Sequence, residues 1–503
     1  MDYQSFANAN NWSAIAPELA LGVLALGLLV LEIVLPRAQH RLIPRFALVG
    51  QLAILGFVLW GASLEPLRGP SFGGLLNHTG IGDAFRVFFL LTSALVTWLG
   101  IVALERQVLS RIEFFHIVLV VTGAMMLLVQ SHHFVMLFVA LETVTVGFYV
   151  LVSYFRSSTS LEAGLKYLIL GALSSAMLTF GIVLLYGVAG NPALPGATTD
   201  SLNFEALRGF LAANSGNPVA LIGMVLVLCG VAFKVGAVPF QIWIPDVYQG
   251  ASTPITAFLA VGSKAAGIGV LLNLVTQVFP VHDGVLQHGL VLVAGATILF
   301  GNLAALTQRN TKRLMGLSGV SHAGYLLMGV TAATFPQTRW VAGAVIFYLF
   351  VYMAASMAVF GVLTYLAKTD DAGLETDEFV DLGKRSPLLG AVLAVGLGSL
   401  AGIPPLAGFI GKLLLFIGAF QAGLYGLLAV AILGVILSIY YYFGWIKMAL
   451  FEFTRVVPRE PDAPELAVRP LPIGGRVTLA ALALATLVLG FFQGPLSQWL
   501  RLP

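Results

Sequence analysis

The chain is short of charge. Only 10% of its 503 residues are Asp, Glu, Lys or Arg, against 58% that are hydrophobic, where a soluble globular protein carries roughly 25% charged residues. With a mean hydropathy of +0.94, that scarcity excludes a soluble enzyme and leaves a polytopic membrane protein. Cysteine is nearly missing too. Cys229 is the single one, so no intramolecular disulfide can form, and its apolar surroundings predict a buried, inert thiol. There is no Walker loop, no dinucleotide glycine fingerprint, no cysteine cluster and no His pair at haem-ligand spacing. The chain itself is therefore expected to hold no nucleotide, metal or redox cofactor. Long soluble stretches are absent, and residues ahead of the first apolar run include Asp2 and no basic residue, which argues against a cleaved signal. The lipid bilayer is an expected partner and nucleic acid is not.

What is present is a succession of apolar runs. A span needs about 20 such residues, and fourteen runs can be marked, at 14–35, 46–62, 83–104, 114–130, 134–154, 163–188, 218–238, 253–276, 286–305, 314–332, 340–366, 387–420, 423–450 and 476–493. The expected fold is an all-α polytopic bundle of about fourteen transmembrane helices. The run 387–420 is too long for one straight helix and is interrupted at Ile403-Pro404-Pro405. Outside the spans, Arg37, Arg41, Arg45, Arg106, Arg111, Arg156, Arg309, Lys312, Arg313, Lys368, Lys384, Arg385, Arg455, Arg459, Arg469 and Arg476 fall on one side. The other side holds only Arg68, Arg208, Arg339 and Arg501. The basic side is expected to be cytoplasmic, with both termini on the periplasmic face of a bacterial inner membrane.

Six basic residues remain. Arg86, beside Asp83, and Lys447 lie at span ends and read as snorkelling or paired residues. Lys166, Lys234, Lys264 and Lys412 lie deeper, and Glu142 is the deepest acid, whereas Glu18 and Glu32 read as interfacial. A charge at mid-membrane depth costs at least about 2.5–3.5 kcal/mol, so such residues mostly face an internal polar path. His322, inside 314–332, either carries protons or packs through hydrogen bonds. His78, His116, His132, His133, His282 and His288 show no metal-ligand spacing and read as interfacial. The loops 61–82 and 189–217 are rich in Gly, Pro and Asn, and the acidic loop 368–386 is either a solvated connector or a docking surface.

The centre of the chain is the stretch from Leu228 to Lys264, where Lys234 is followed by Pro239, Pro245 and Pro254. A proline-broken helix frees backbone groups that protein or water must satisfy. A second break, at Pro404-Pro405, precedes Lys412. Two Pro-interrupted segments five spans apart mark a repeated transporter architecture, and an odd number of spans per repeat inverts one copy. The expected organisation is an N-terminal three-helix segment (1–105), a first five-helix repeat (106–276), a second (277–450), and a loop with a C-terminal helix (451–503). Low dielectric disfavours a charged lysine and a nearby carboxylate restores it. Glu142 and Lys234 thus form a switchable pair, with Lys166, Lys264 and His322 extending the line toward Lys412.

The stretch VPFQIWIPDVYQGASTPITAFLAVGSKAA, with EAGLKYLILGALSSAMLTFGIVLLYG, TQRNTKRLMGLSGVSHAGYLLMG and SLAGIPPLAGFIGKLLLF in order, resembles the antiporter-like membrane subunits of bacterial respiratory complex I. Asp-Val-Tyr-Gln-Gly, where sibling subunits usually read Asp-Ala, and Lys412, where one sibling has glutamate, are similar to its N subunits. The resemblance implies proton translocation by a subunit of NADH:quinone oxidoreductase. Glu142, Lys234, Lys264 and Lys412 then stand at the family's relay positions and Lys166 at a further lysine. It also implies that NADH, FMN, iron–sulfur clusters and quinone belong to partner subunits, and that an adjacent antiporter-like subunit and small membrane subunits flank this chain. Gln241 stands where the family pattern has His and removes one titratable group. The alternative reading is a subunit of a secondary cation/proton antiporter.

Overall fold

The computed structural model describes residues 10–61, 69–105, 112–279, 284–367, 371, 375–451 and 471–500. Arg68, Arg106, Arg111, His282, Lys368, Arg455, Arg459, Arg469 and Arg501 lie outside the described residues. The helices are α1 (Ala16–Val34), α2 (Ile43–Gly61), α3 (Gly80–Leu104), α4 (Ile112–Val129), α5 (Phe134–Val152), α6 (Ser158–Ala189) and α7 (Phe204–Ala213). They continue with α8 (Pro218–Val235), α9 (Ile244–Gly250), α10 (Thr253–Val278), α11 (Val285–Ala305), α12 (Thr311–Ala332) and α13 (Val341–Leu366). Last come α14 (Pro387–Ala401), α15 (Ala407–Gln421), α16 (Tyr425–Leu450), α17 (Ile473–Phe491) and the short α18 (Gly494–Trp499). Twelve of the described helices are long and apolar enough to cross a membrane. The chain is an all-α polytopic membrane protein, with one small antiparallel hairpin, β1 (Gly69–Ser71) and β2 (Leu76–His78), inside the expected loop 61–82.

Three helices form the core. In α10 and α13 the apolar length is wholly buried, and in α12 every residue except Arg313 is buried. This explains a sequence anomaly. With Lys312, Ser318, Ser321 and His322, α12 is too polar to count among the twelve apolar helices, yet no lipid touches it, so its polar groups need only protein partners. Peripheral helices such as α1, α6 and α17 are instead mostly exposed along apolar faces, as lipid-facing helices are.

The two expected breaks are real and alike. Gly236 ends α8 at φ 80°, ψ 36°, and Gly402 ends α14 at φ 86°, ψ 41°. Glycine populates this left-handed region without a Cβ penalty, and the turn closes both helices in the same way. The amide after each glycine bonds back into its helix, Ala237 N to Ala232 O at 2.9 Å and Ile403 N to Gly398 O at 3.0 Å. A cis peptide follows at Val238-Pro239 and at Pro404-Pro405. The freed Val238 amide donates to Thr297 Oγ1 of α11 at 3.0 Å, so a neighbouring helix satisfies the first break.

Several expectations change. The loop 189–217 carries the amphipathic α7, capped by Asn203 and buried through Phe204, Leu207, Phe210 and Leu211, a helix hidden by its Gly- and Pro-rich flanks. Glu18, in the first turn of α1, is more than an interfacial acid. It is buried and takes Arg86 at 2.8 Å, with Gln130 Nε2 donating to it at 2.9 Å, while Arg86 also reaches Asp83 at 3.2 Å. Beside this cluster burial, and then the Arg86 charge, pushes the His78 imidazole below its ordinary value, so it is neutral at neutral pH. The acidic loop is no plain solvated connector at Asp371, whose carboxylate accepts Thr253 N and Thr253 Oγ1 at 2.6 Å each and pairs with Lys312 at 3.3 Å. Cys229 is half-buried rather than buried, because it lies toward the flank of α8.

Candidate functional site

Lys234 comes from the last turn of α8, just ahead of the break, and is buried. Its Nζ donates to Thr145 Oγ1 of α5 at 2.6 Å. Glu142 stands one turn earlier on α5, half-buried, and accepts a hydrogen bond from Ser175 Oγ of α6 at 2.5 Å. The two charges are therefore not in ion-pair contact. Separate hydroxyls on adjoining helices hold them, Ser175 of α6 at Glu142 and Thr145, one turn after Glu142 on α5, at Lys234.

Lys264 follows a π-helical turn, Leu259–Ser263, in the middle of α10. Such turns rotate the residues after them and recur at functional sites. Lys264 Nζ donates to Gly319 O at 2.6 Å and to the Tyr352 hydroxyl at 3.1 Å, and lies 4.8 Å from the Tyr352 ring centre. A Cβ at 319 would stand 2.8 Å from Lys264 Nζ, so a side chain there would push the ammonium off its present seat. The helices of Lys234 and Lys264 touch one turn further on, where a Cβ on Gly267 would lie 3.2 Å from Val235 N.

His322 occupies the centre of the buried core. Its Nδ1 is 2.6 Å from the Tyr348 hydroxyl and its Nε2 is 3.2 Å from the Tyr442 hydroxyl. Its ring is 5.0 Å from that of Tyr352, which also touches Lys264, and 6.1 Å from that of Tyr325. Lys412, on α15, lies 5.1 Å from the Tyr325 ring and donates to Leu400 O at 2.9 Å and Ala401 O at 3.0 Å. Those carbonyls are the ones the second break leaves free, so the lysine takes the place the sequence suggested for water. Lys264, Tyr352, His322, Tyr325 and Lys412 form one contiguous row of contacts, a hydrogen bond from Lys264 to the Tyr352 hydroxyl and then ring contacts from Tyr352 to His322, Tyr325 and Lys412.

Lys166 is not brought to this row. It is half-exposed and pairs with Glu162 and Asp246 at 2.8 Å each. Its position eight residues into α6 suggested depth, but the acidic partners lie toward the start of that helix. Sequence reasoning also missed Thr145, Ser175, Tyr325, Tyr348, Tyr352 and Tyr442. A usable signal was there for Tyr348 and Tyr352, four residues apart in an otherwise apolar run, because buried tyrosine hydroxyls need partners. No group of three or more His, Cys, Asp or Glu that could hold a metal ion occurs among the described residues.

The fold and the row define a class, an antiporter-like membrane subunit built around intramembrane lysines. Residues 131–438 match the family model described as NADH:quinone oxidoreductase/Mrp antiporter, TM. The chain is 60% identical over 496 residues to NADH-quinone oxidoreductase subunit N 1 of Opitutus terrae, covering 98% of both chains. It is 35% identical to NADH-quinone oxidoreductase subunit N of Desulforamulus reducens, covering 97% of both. Among solved structures it superposes on a chain of respiratory complex I from Thermus thermophilus with bound aureothin, at TM-score 0.77 and 31% identity over 95% of this chain and 97% of that one. A chain of the Mrp complex from Dietzia sp. shares the fold at TM-score 0.77 and 23% identity, over 97% of this chain and 96% of that one. The chain belongs to the subunit N family of NADH-quinone oxidoreductases.

Proposed function

We propose that this chain, as a membrane subunit of NADH:quinone oxidoreductase, moves protons along the buried row from Lys234 through Lys264 and His322 to Lys412. The observation that carries the reading is the contiguity of Lys264, Tyr352, His322, Tyr325 and Lys412 in a core closed to lipid. Lysine and histidine can each gain and lose a proton, and the hydroxyls of Tyr352 at Lys264 and of Tyr348 and Tyr442 at His322 give each a proton-exchanging partner. Glu142, one turn before the Thr145 that holds Lys234, favours the charged lysine electrostatically, and a change in their spacing would let Lys234 release its proton. The redox chemistry of NADH, FMN, iron–sulfur clusters and quinone falls to partner subunits, including those that flank this chain in the membrane. A purely antiporter assembly is the other reading. Copurification from native membranes separates them, since NADH-oxidising flavin subunits support the first and antiporter subunits alone would overturn it.

The full architecture we infer has fourteen spans. Twelve apolar helices, the buried polar α12, and α14 with α15 as one broken span support that number. The matching left-handed glycines Gly236 and Gly402 support two inverted five-helix repeats within 106–276 and 277–450, flanked by segments 1–105 and 451–503. The loop charges support cytoplasmic basic loops and periplasmic termini in an inner membrane.

Two variants test the row at its joints. Glu142→Gln keeps shape and removes charge, so Lys234 loses its partner. Turnover should fall several-fold in assembled complex, and normal pumping would show that the Glu142 charge is idle. Gly319→Ala places a methyl 2.8 Å from Lys264 Nζ and 3.3 Å from the Tyr352 hydroxyl. Lys264 should swing off Tyr352, and protons pumped per NADH should drop while native gels show normal assembly. An unchanged ratio would remove this junction from the path.

A further inference from the structure

The charged group the row does not use is the one around Asp246. One carboxylate there is shared by both halves of the molecule: Lys166 Nζ of α6 meets Asp246 Oδ2 at 2.8 Å, and Arg313 Nη1 of α12 meets Asp246 Oδ1 at 2.7 Å. Arg313 Nη1 also donates to Gln249 Oε1 at 3.0 Å, one turn further along α9.

We propose that Asp246 is a positioning residue that ties α9 to both halves, and that Lys166 acts through it and not as a carrier in the row. Three features of the fold support this. First, α9 is only seven residues long and is the covalent link between the break after Lys234 and the start of the helix that carries Lys264. Its pose sets how those two lysines stand to each other. Second, α9 is wedged flush between α6 and α12. A Cβ on Gly250 would stand 2.6 Å from Ala163 Cβ, and one on Gly316 would stand 3.0 Å from Ile244 and 3.1 Å from Tyr248. Packing this close leaves no slack, so a force applied at Asp246 passes to the whole helix. Third, Asp246 stands ten residues after the left-handed Gly236, as Lys412 stands ten after Gly402. The same place in the two halves holds an acid that anchors and a base that carries.

An exposed ion pair stabilises little alone. These three side chains are 30–43% exposed, so the tie acts by geometry, fixing α9 between two cations that would otherwise repel.

This inference rests on the row reading, and the test keeps the two apart. Asp246→Asn, Asp246→Glu, Lys166→Gln and the double variant Asp246→Asn/Lys166→Gln are compared with Lys234→Ala in membranes holding the whole complex. Native gels follow assembly, and protons pumped per NADH oxidised are measured. Asp246→Asn should assemble and lower the ratio several-fold, Asp246→Glu should restore most of it, and Lys166→Gln should add nothing in the Asp246→Asn background. The inference is overturned by a normal ratio in Asp246→Asn, or by a Lys166→Gln loss that appears in full on top of it. It is overturned also if neither Asp246 variant assembles, which makes the residue a folding anchor only. Normal pumping by Lys234→Ala would overturn the row itself, whereas a dead Lys234→Ala beside a normal Asp246→Asn overturns only the tie.

Discussion

Lys234→Ala should cut NADH-driven proton translocation to below about one-tenth of the parent, a loss of more than ~1.4 kcal/mol of transition-state stabilisation, in complex that still assembles. Lys234 is the charge at the first break, and its Nζ bonds a single hydroxyl, that of Thr145. Removing it leaves that hydroxyl bonded to Leu141 O at 2.7 Å, so the structural cost is small. Lys234→Arg should fail as well, because a guanidinium scarcely gives up its proton at any working pH. Proton uptake into inverted vesicles measures both, with native gels as the control. Full pumping in assembled Lys234→Ala would end the assignment of this residue.

Lys412 should behave differently, because its ammonium is also a structural donor. Lys412→Ala strips the donors from Leu400 O and Ala401 O, both buried at the second break. Each orphaned carbonyl costs about 1–3 kcal/mol unless water enters, so assembly should fall along with pumping. Lys412→Arg keeps donors for both carbonyls and keeps the positive charge beside Tyr325. It should assemble and still not pump. Recovery of pumping in Lys412→Arg would show that the charge, and not proton exchange, is what this position supplies.

The sequence made the spans and breaks legible because both are written in local chemistry. Apolar length marks a span, and prolines after Lys234 and before Lys412 mark a lost ladder. Even α12 could be recognised as a helix although its composition is too polar for a lipid-facing one. The partners of the deep charges were not legible, since Thr145, Tyr352 and Tyr325 are ordinary residues until tertiary packing brings them to a lysine. Lys166 shows the converse. Its place along α6 suggested depth, but it is half-exposed, and its acidic partner Asp246 lies across a break whose bend no local pattern gives. The buried pair of Glu18 with Arg86 failed for the same reason, being made between helices far apart in sequence.

A single lateral row from Lys234 to Lys412 needs no open pore. A water wire straight across would dissipate the gradient, since each proton moved against ~100 mV costs about 2.3 kcal/mol. The most direct test is the proton-to-electron ratio of the reconstituted whole complex carrying Lys234→Ala, Lys412→Arg, or both. One row predicts that each single variant loses this subunit's whole contribution and that the double variant loses no more. Two partial losses that add in the double variant would mean two independent vertical paths, and would contradict the row.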